Sequence, residues 1–499
     1  MDDSVRASSL EMTDEAMREL SDQAVALVTD YFKRVSEQRV FPDTSAEEIA
    51  GAFDNALPVE GEPLAKIIED CRVVFNQSRH NGHPRFFGYV ASPSTPVGAY
   101  ADLIASTLNP NVTSWRSAPA ATRIEQTVIK WLGGAIGYGE EAQGILTSGG
   151  SMANLNAIIV ALRTGPQSDL ARRGLWNAGA PLTLYASDET HFSIVKAAEI
   201  IGVGREQVRL IESDAQFRLD ARVLRERIES DRNKGLRPFC VVANAGTVST
   251  GAIDPLVEVA NVADEYDLWF HVDGAYGALG ALDESKRHLF TGIERADSVS
   301  LDPHKWLYAP VDCGCLLFRD AARVRDAWSS AEADYVKIHE ATDDESFAFW
   351  DYGVELSRRF RALKIWMMLR YYGSRRVAAS ITEDNAMADA LARLVNAAED
   401  FELLALAVLS ICCFRYVPPR VRARLEAADE EERAHINAEL DQLNARIMHK
   451  VQRGGRAYLS NANIKGRFAL RACITNFRTT RADLQQTLDI IREVGRDEG

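Results

Sequence analysis

Cysteine is scarce in this chain: seven residues in 499, irregularly placed. Cys313 and Cys315 form C-x-C and Cys412 and Cys413 are adjacent, which matches neither a paired zinc pattern nor a secreted disulfide framework. They read as buried free thiols. A basic excess is also missing. Fifty-seven Lys and Arg stand against 72 Asp and Glu, a formal net charge of -15, which argues against nucleic acid or an anionic membrane as the main partner. The most apolar run, "LLALAVLSICCF" (403–414), is too short to span a bilayer and reads as a core strand or helix. The first residues, "MDDSVRASSLEMTDE", are polar and acidic without a signal-type apolar region, so the expected location is the cytoplasm. No convincing repeat or low-complexity tract occurs.

What is present suits a soluble globular protein: 46% hydrophobic and 26% charged residues, enough to bury a large core in two or three domains. Residues 13–38 carry Met17, Leu20, Ala24, Val28 and Phe32 on one broad face, and Thr13 with Asp14 and Glu15 predicts a helix start. Residues 79–120, rich in Gly, Pro, His and aromatics, read as loops that line a pocket or pack as a connection. From about 120 to 320, short apolar runs ("LTLYAS", "VRLIE", "FCVVANAG", "LWFHVDGAYG", "SVSLD", "CGCLLFR") alternate with helical stretches. That alternation predicts an α/β layer fold with a mainly parallel central sheet flanked by helices. Beyond residue 376 come a helix, the 403–414 run, a charged helix over about 420–452 and further strands, which predicts a smaller α+β domain. The expected division is a helical segment over 1–85, a large domain over 86–375 and a small one over 376–499.

Ligands in such sheets collect at the carboxyl ends of the strands. "TSGGSMANL" (147–155) is a Gly-Ser turn opening a helix, an anion site in principle, since backbone N–H groups point outward and Gly150 and Ser151 let a phosphate approach. It is neither a Walker A loop nor G-x-S-x-G. Alone it is an ordinary capped strand–helix turn. Asp273 follows the run Leu268–Val272, where a carboxylate among apolar neighbours needs a cationic partner or serves as a salt bridge or cap. His191 follows another run, Thr247 a third, and His304-Lys305 a fourth. Each is unremarkable alone. Together they meet the needs of pyridoxal 5'-phosphate (PLP): an anion nest, a carboxylate for the ring nitrogen, a face to stack on the ring and a lysine amine for the aldehyde. No metal is implied.

"NAGTV…HVDGAYG…DSVSLDPHKW" resembles the PLP-dependent group II amino acid decarboxylases, which include the aromatic L-amino acid, histidine and glutamate enzymes. The resemblance runs from "HPRFFGY" (83–89) to "SRRFRALKIWMMLRYYG" (357–373), and more loosely to both ends. It implies a fold type I PLP-dependent transferase-like architecture and a homodimer with active sites at the subunit interface. Lys305 would bond the cofactor aldehyde and Asp273 would pair with the pyridine nitrogen. His191 would stack on the ring and handle protons. Thr247 would support the cofactor face, and Gly150, Ser151 and His304 would hold the phosphate. "ADYVKIH" (333–339) matches the loop whose tyrosine returns a proton after carbon dioxide leaves, which makes Tyr335 catalytic and favours amine over aldehyde as product. At Asp302 the resemblance leads one to expect an amide.

Residues 89–96, with Tyr89, and 111–115, with Asn111 and Thr113, would line the substrate pocket, the second set from the partner subunit. Ser357 lies where plant relatives separate phenolic from indolic substrates. These positions lean to an aromatic L-amino acid, phenolic before indolic. Glutamate or another acidic amino acid is the alternative, followed by an aldehyde synthase or other PLP-dependent lyase. A non-catalytic binding protein of the same fold comes last, since Lys305, Asp273 and His191 are all intact.

Overall fold

The structure is a computed structural model that describes residues 10–164, 170–328, 342 and 344–498. Twelve strands form two sheets among the described residues: β1 (Phe86–Phe87), β2 (Gln143–Thr147), β3 (Leu182–Ser187), β4 (Val208–Ile211), β5 (Arg237–Asn244), β6 (Trp269–Asp273), β7 (Ser298–Leu301), β8 (Gly314–Phe318), β9 (Phe401–Ala405), β10 (Ile411–Tyr416), β11 (Tyr458–Ile464) and β12 (Arg467–Cys473). The larger sheet has the order β2-β8-β7-β6-β5-β3-β4. Its pairs from β4 through β7 are parallel, and β8 alone runs against its two neighbours. Each apolar run read from the sequence is one strand of it. Such strands are covered on both faces, so continuous apolar runs rather than alternation mark them; β3, β6, β7 and β8 are buried throughout.

Register does the positioning. Asn244, Asp273 and Ser300 lie side by side across β5, β6 and β7, all at the carboxyl edge. Because β8 is reversed, Gly314 at its start faces Thr147 at the end of β2. This brings the Gly149-Gly150 turn beside Asp302, at the end of β7.

The smaller sheet, β1-β11-β12-β10-β9, is antiparallel except for β1 beside β11. The apolar run 403–414 is therefore two strands of one sheet. The turn Lys465-Gly466 between β11 and β12 has φ of 48° and 83°, the twist a tight hairpin requires. The chain enters this sheet before it enters the large one: Phe86–Phe87, just after the expected boundary at residue 85, pairs with Tyr458–Leu459. The expected charged helix over 420–452 is two helices, Pro419–Ala427 and Glu430–Gly454. Asp429 makes the break by capping the second, accepting from the Glu432 N–H at 2.9 Å.

At the N-terminus the helix spans Asp14–Arg34, and the Thr13 hydroxyl accepts from the Ala16 N–H at 3.2 Å. It meets the helix Leu64–Asn76 edge-on, Tyr31 against Phe75 with ring centroids 5.1 Å apart, and leaves Met17, Val25, Ile67 and Val74 exposed. No helix among the described residues is long and apolar enough to cross a membrane.

Candidate active site

A cavity of about 800 Å³ opens where the carboxyl edge of the large sheet faces β11 and β12. Lys305, Asp273, His191, His304, Gly150 and Ser151 all line it. Residues from four separated segments thus meet in one space.

Lys305 stands on a four-residue helix, Pro303–Trp306, directly after β7. Its Nζ is 2.9 Å from Asp302 Oδ2. Trp306 stacks on Tyr276 with centroids 5.2 Å apart. The Trp306 indole N–H and the Tyr308 hydroxyl both donate to Asp384, at 3.0 and 2.8 Å. No cation pairs with the Asp384 carboxyl among the described residues, and burial pushes it up to about 7. The following turn is pinned by the buried Lys364 ammonium, which donates to Asp102 (3.0 Å) and to the carbonyls of Pro310 (3.1 Å) and Asp312 (3.2 Å).

Asp273 is held by three donors: the Asn154 amide at 2.8 Å on one oxygen, and the Ala275 N–H and Ser300 hydroxyl, each at 3.1 Å, on the other. All three are neutral. A carboxylate that lines the cavity with no cation on its own oxygens is a seat for a cationic or protonated ring nitrogen. His191 begins the helix Phe192–Ile200, and its Nδ1 lies 2.8 Å from the Ser193 hydroxyl. Burial lowers its pKa below the usual imidazole value, against the pull of Asp273. His304 is likewise lowered by burial; its Nδ1 accepts from the Cys313 N–H at 3.2 Å, which leaves Nε2 to carry its proton.

The turn at 148–151 opens the 14-residue helix Gly150–Arg163, whose first N–H groups have no acceptor inside the helix. A Cβ at Gly150 would fall 2.7 Å from Ala275 Cβ and 2.9 Å from Asp302 Oδ2, so only glycine fits. These features fit PLP: an anion turn with room for a phosphate, a lysine, a carboxylate without a cation and an imidazole face. Asp302 is the exception. It is buried, and its Oδ1 has no hydrogen-bond partner.

Other expected residues sit elsewhere. Thr247 is buried, its hydroxyl 3.0 Å from that of Thr250 and accepting from the Ala252 N–H at 3.2 Å, while Gly246 and Val248 beside it line the cavity. Tyr89 is at the rim, its hydroxyl 3.2 Å from that of Tyr458. Asn111, Thr113 and Ser357 are outside the cavity. They form a cluster of their own: Asn111 Oδ1 accepts from the Arg358 N–H at 2.8 Å, and the Arg358 guanidinium is buried against Glu125 and donates to the Val112 carbonyl at 2.8 Å. Removing one partner of a buried pair like Arg358–Glu125 costs about 3–5 kcal/mol, so this cluster is firmly placed. Tyr335 lies outside the described residues.

Three residues of the site were not singled out from the sequence. Arg471 on β12 is 3% exposed and lines the cavity. It donates to the Tyr89 carbonyl at 2.8 Å and the Ser249 carbonyl at 3.2 Å, and its Nη2 has no partner. Its signal was a lone charge inside the apolar strand "FALRACI". Asn154 and His271 are the other two, and no local pattern marks them.

The pyridoxal-dependent decarboxylase conserved domain matches residues 46–417. The aromatic-L-amino-acid decarboxylase of Bacillus atrophaeus is 34% identical over 98% of each chain. The cysteine sulfinic acid decarboxylase of Mus musculus is 32% identical over 95% of this chain and 96% of its own, and the phenylacetaldehyde synthase of Petunia hybrida 30% over 93% and 92%. Among solved structures, Oryza sativa TDC with PLP and tryptamine superposes with a TM-score of 0.88, at 30% identity over 98% of this chain and 99% of that one. The chain belongs to the pyridoxal-dependent decarboxylase family. It is a PLP-dependent carboxy-lyase of fold type I.

Proposed function

We propose that the protein converts an aromatic L-amino acid, phenolic before indolic, to its amine and carbon dioxide. The observation that carries the reading is that Lys305 and Asp273 line one cavity together with the apolar and aromatic Tyr89, Val90, Phe192 and Val248. Bound PLP would supply the electron sink for the pair left on the substrate's α-carbon when carbon dioxide departs. Lys305 Nζ would hold the cofactor carbonyl, with Asp302 beside it whenever that nitrogen is charged. Asp273 would keep a proton on the ring nitrogen. His304 Nε2–H and the first N–H groups of the helix Gly150–Arg163 would bind the phosphate. His191 Nε2 would face the reacting carbon and exchange a proton there. Tyr335 is proposed to return the proton to that carbon, and the exposed N-terminal helix pair to be covered in a homodimer whose partner supplies the Asn111, Thr113 and Ser357 cluster to the site.

Arg471 supports a second reading. Its unpartnered Nη2 suits the α-carboxylate of any amino acid, and equally the side-chain anion of an acidic one. The two readings separate in one screen. Enzyme loaded with PLP is given L-tyrosine, L-DOPA, L-phenylalanine, L-tryptophan, L-glutamate and L-cysteine sulfinate, and amine, carbon dioxide and hydrogen peroxide are measured. Amine from L-tyrosine or L-DOPA above L-tryptophan, without peroxide, is expected. Amine from glutamate or cysteine sulfinate alone would replace the first reading with the second, and aldehyde with peroxide would make the protein a synthase.

A further inference from the structure

Beneath the cavity a chain of buried polar groups connects His191 and Asp273, and its direction can be worked out from chemistry. At the far end the Trp269 indole N–H, which can only donate, lies 2.9 Å from the Ser298 hydroxyl oxygen. That leaves the Ser298 hydroxyl free to donate its proton to His271 Nδ1, also 2.9 Å away, which is the direction that the accept-only carboxylate at the other end requires. His271 is fully buried, and burial holds it neutral down to about 4. Its single ring proton therefore sits on Nε2 and donates to Asn154 Oδ1 at 3.0 Å. Oriented this way, the Asn154 amide points its two hydrogens at Asp273 Oδ2 (2.8 Å) and at the Ser193 hydroxyl oxygen (3.0 Å). Ser193 in turn has its proton free for His191 Nδ1, which also receives the Ser193 backbone N–H at 3.3 Å. The proton of neutral His191 is thereby placed on Nε2. The other end confirms the direction, since the Asp273 carboxylate can only accept.

We infer that Asn154 is a positioning residue: with His271 behind it, it sets the ring tautomer of His191 to Nε2–H and presents Asp273 to the cofactor with its lone pairs directed into the cavity. The inference rests on the assignment of His191 and Asp273 to the cofactor and goes beyond it in naming what orients them. Asn154 is 1% exposed where it lines the cavity, and all its side-chain hydrogen bonds go to His271, Ser193 and Asp273. An apolar residue would pack as well on the buried face of the helix Gly150–Arg163, but it could not join a donor-only root to two acceptors.

The test uses full-length enzyme labelled with ¹⁵N at its nine histidines, with His191→Gln and His271→Gln to assign the two rings. In wild type at pH 7 both rings are expected neutral with the proton on Nε2. In Asn154→Ala the His271 ring loses its single tautomer, the His191 resonances move, and the PLP dissociation constant rises about ten- to a hundredfold, the effect of losing one hydrogen bond to a charged group. Ser193→Ala cuts only the His191 branch: its resonances move and PLP affinity stays within about twofold. His271 charged at pH 7, or protonated on Nδ1, would overturn the inference even if Asn154→Ala failed to fold. So would Asn154→Ala with both rings and PLP affinity unchanged. Full turnover by His191→Gln and Asp273→Asn would instead remove the assignment of those two residues while leaving the ring-nitrogen result standing.

Discussion

Two buried carboxylates that line the cavity are held in opposite ways. Asp273 meets three neutral donors and no cation. Asp302 already holds the Lys305 ammonium at 2.9 Å with one oxygen and has nothing for the second. Asp273 and one of its donors, Ser300, are side by side in the register of β6 and β7, so backbone pairing fixes that site. The partner of Asp302 is the tip of a long lysine side chain. One carboxylate is held by its own strand and neighbours, and the other by a group that the proposed chemistry uses.

Three Asp→Asn changes probe that difference. The largest effect is expected for Asp273→Asn, where the ring nitrogen loses its charged partner and an amide hydrogen is turned toward Asn154. Turnover should fall on the order of 10²–10³-fold, the scale of losing one electrostatic stabiliser at a developing charge. Amine formation by PLP-loaded enzyme checks it; a loss under about tenfold would make the two carboxylates equivalent. Asp302→Asn should work the other way on cofactor binding. An amide beside the Gly149-Gly150 turn removes a negative charge from the neighbourhood of a phosphate, and PLP should bind about tenfold more tightly, read by fluorescence titration. Weaker binding would mean that Asp302 helps hold the cofactor rather than the empty lysine.

The third change, at Asp384, acts on stability. Its folded pKa, raised by burial to about 7, lies above the ordinary carboxylate value of 3.8. The folded state binds this proton more tightly, so stability from this group is present at low pH and declines as pH rises from about 4 to about 7. Burial lowers His191 and His304, which gives the opposite slope, so the comparison is with a variant. Wild type should lose about 1 kcal/mol per pH unit between pH 5 and 7 relative to Asp384→Asn in urea unfolding. Parallel curves for the two proteins would show that the brace behind Lys305 does not titrate.

The sequence was most readable where one segment carries both an element and its chemistry. "LWFHVDG" is a strand with a carboxylate at its end, and "SVSLDPHKW" is a strand followed by a lysine; parallel packing made both ends face the same side. Thr247, expected at the cofactor face, is buried with its hydroxyl used by the turn itself, a detail that depends on where Thr250 and Ala252 fold back. Asn111, Thr113 and Ser357, each expected at the substrate pocket, lie outside this chain's own cavity, where the buried Arg358–Glu125 pair holds the segment that Asn111 binds.

By itself the sequence determined the alternation of strands and helices in the large sheet and the cofactor class, since apolar periodicity and reactive side chains are local properties. Only the tertiary structure decided that Asn154, Ser193, His271 and Ser298 form one directed chain, that Arg471 keeps a free guanidinium nitrogen, and that Asp384 braces the lysine segment. Asn, Ser and Asp are common on any surface. What gives these their meaning is burial together with partners more than a hundred residues away for Asn154 and Arg471, a relation that exists only once the chain has folded.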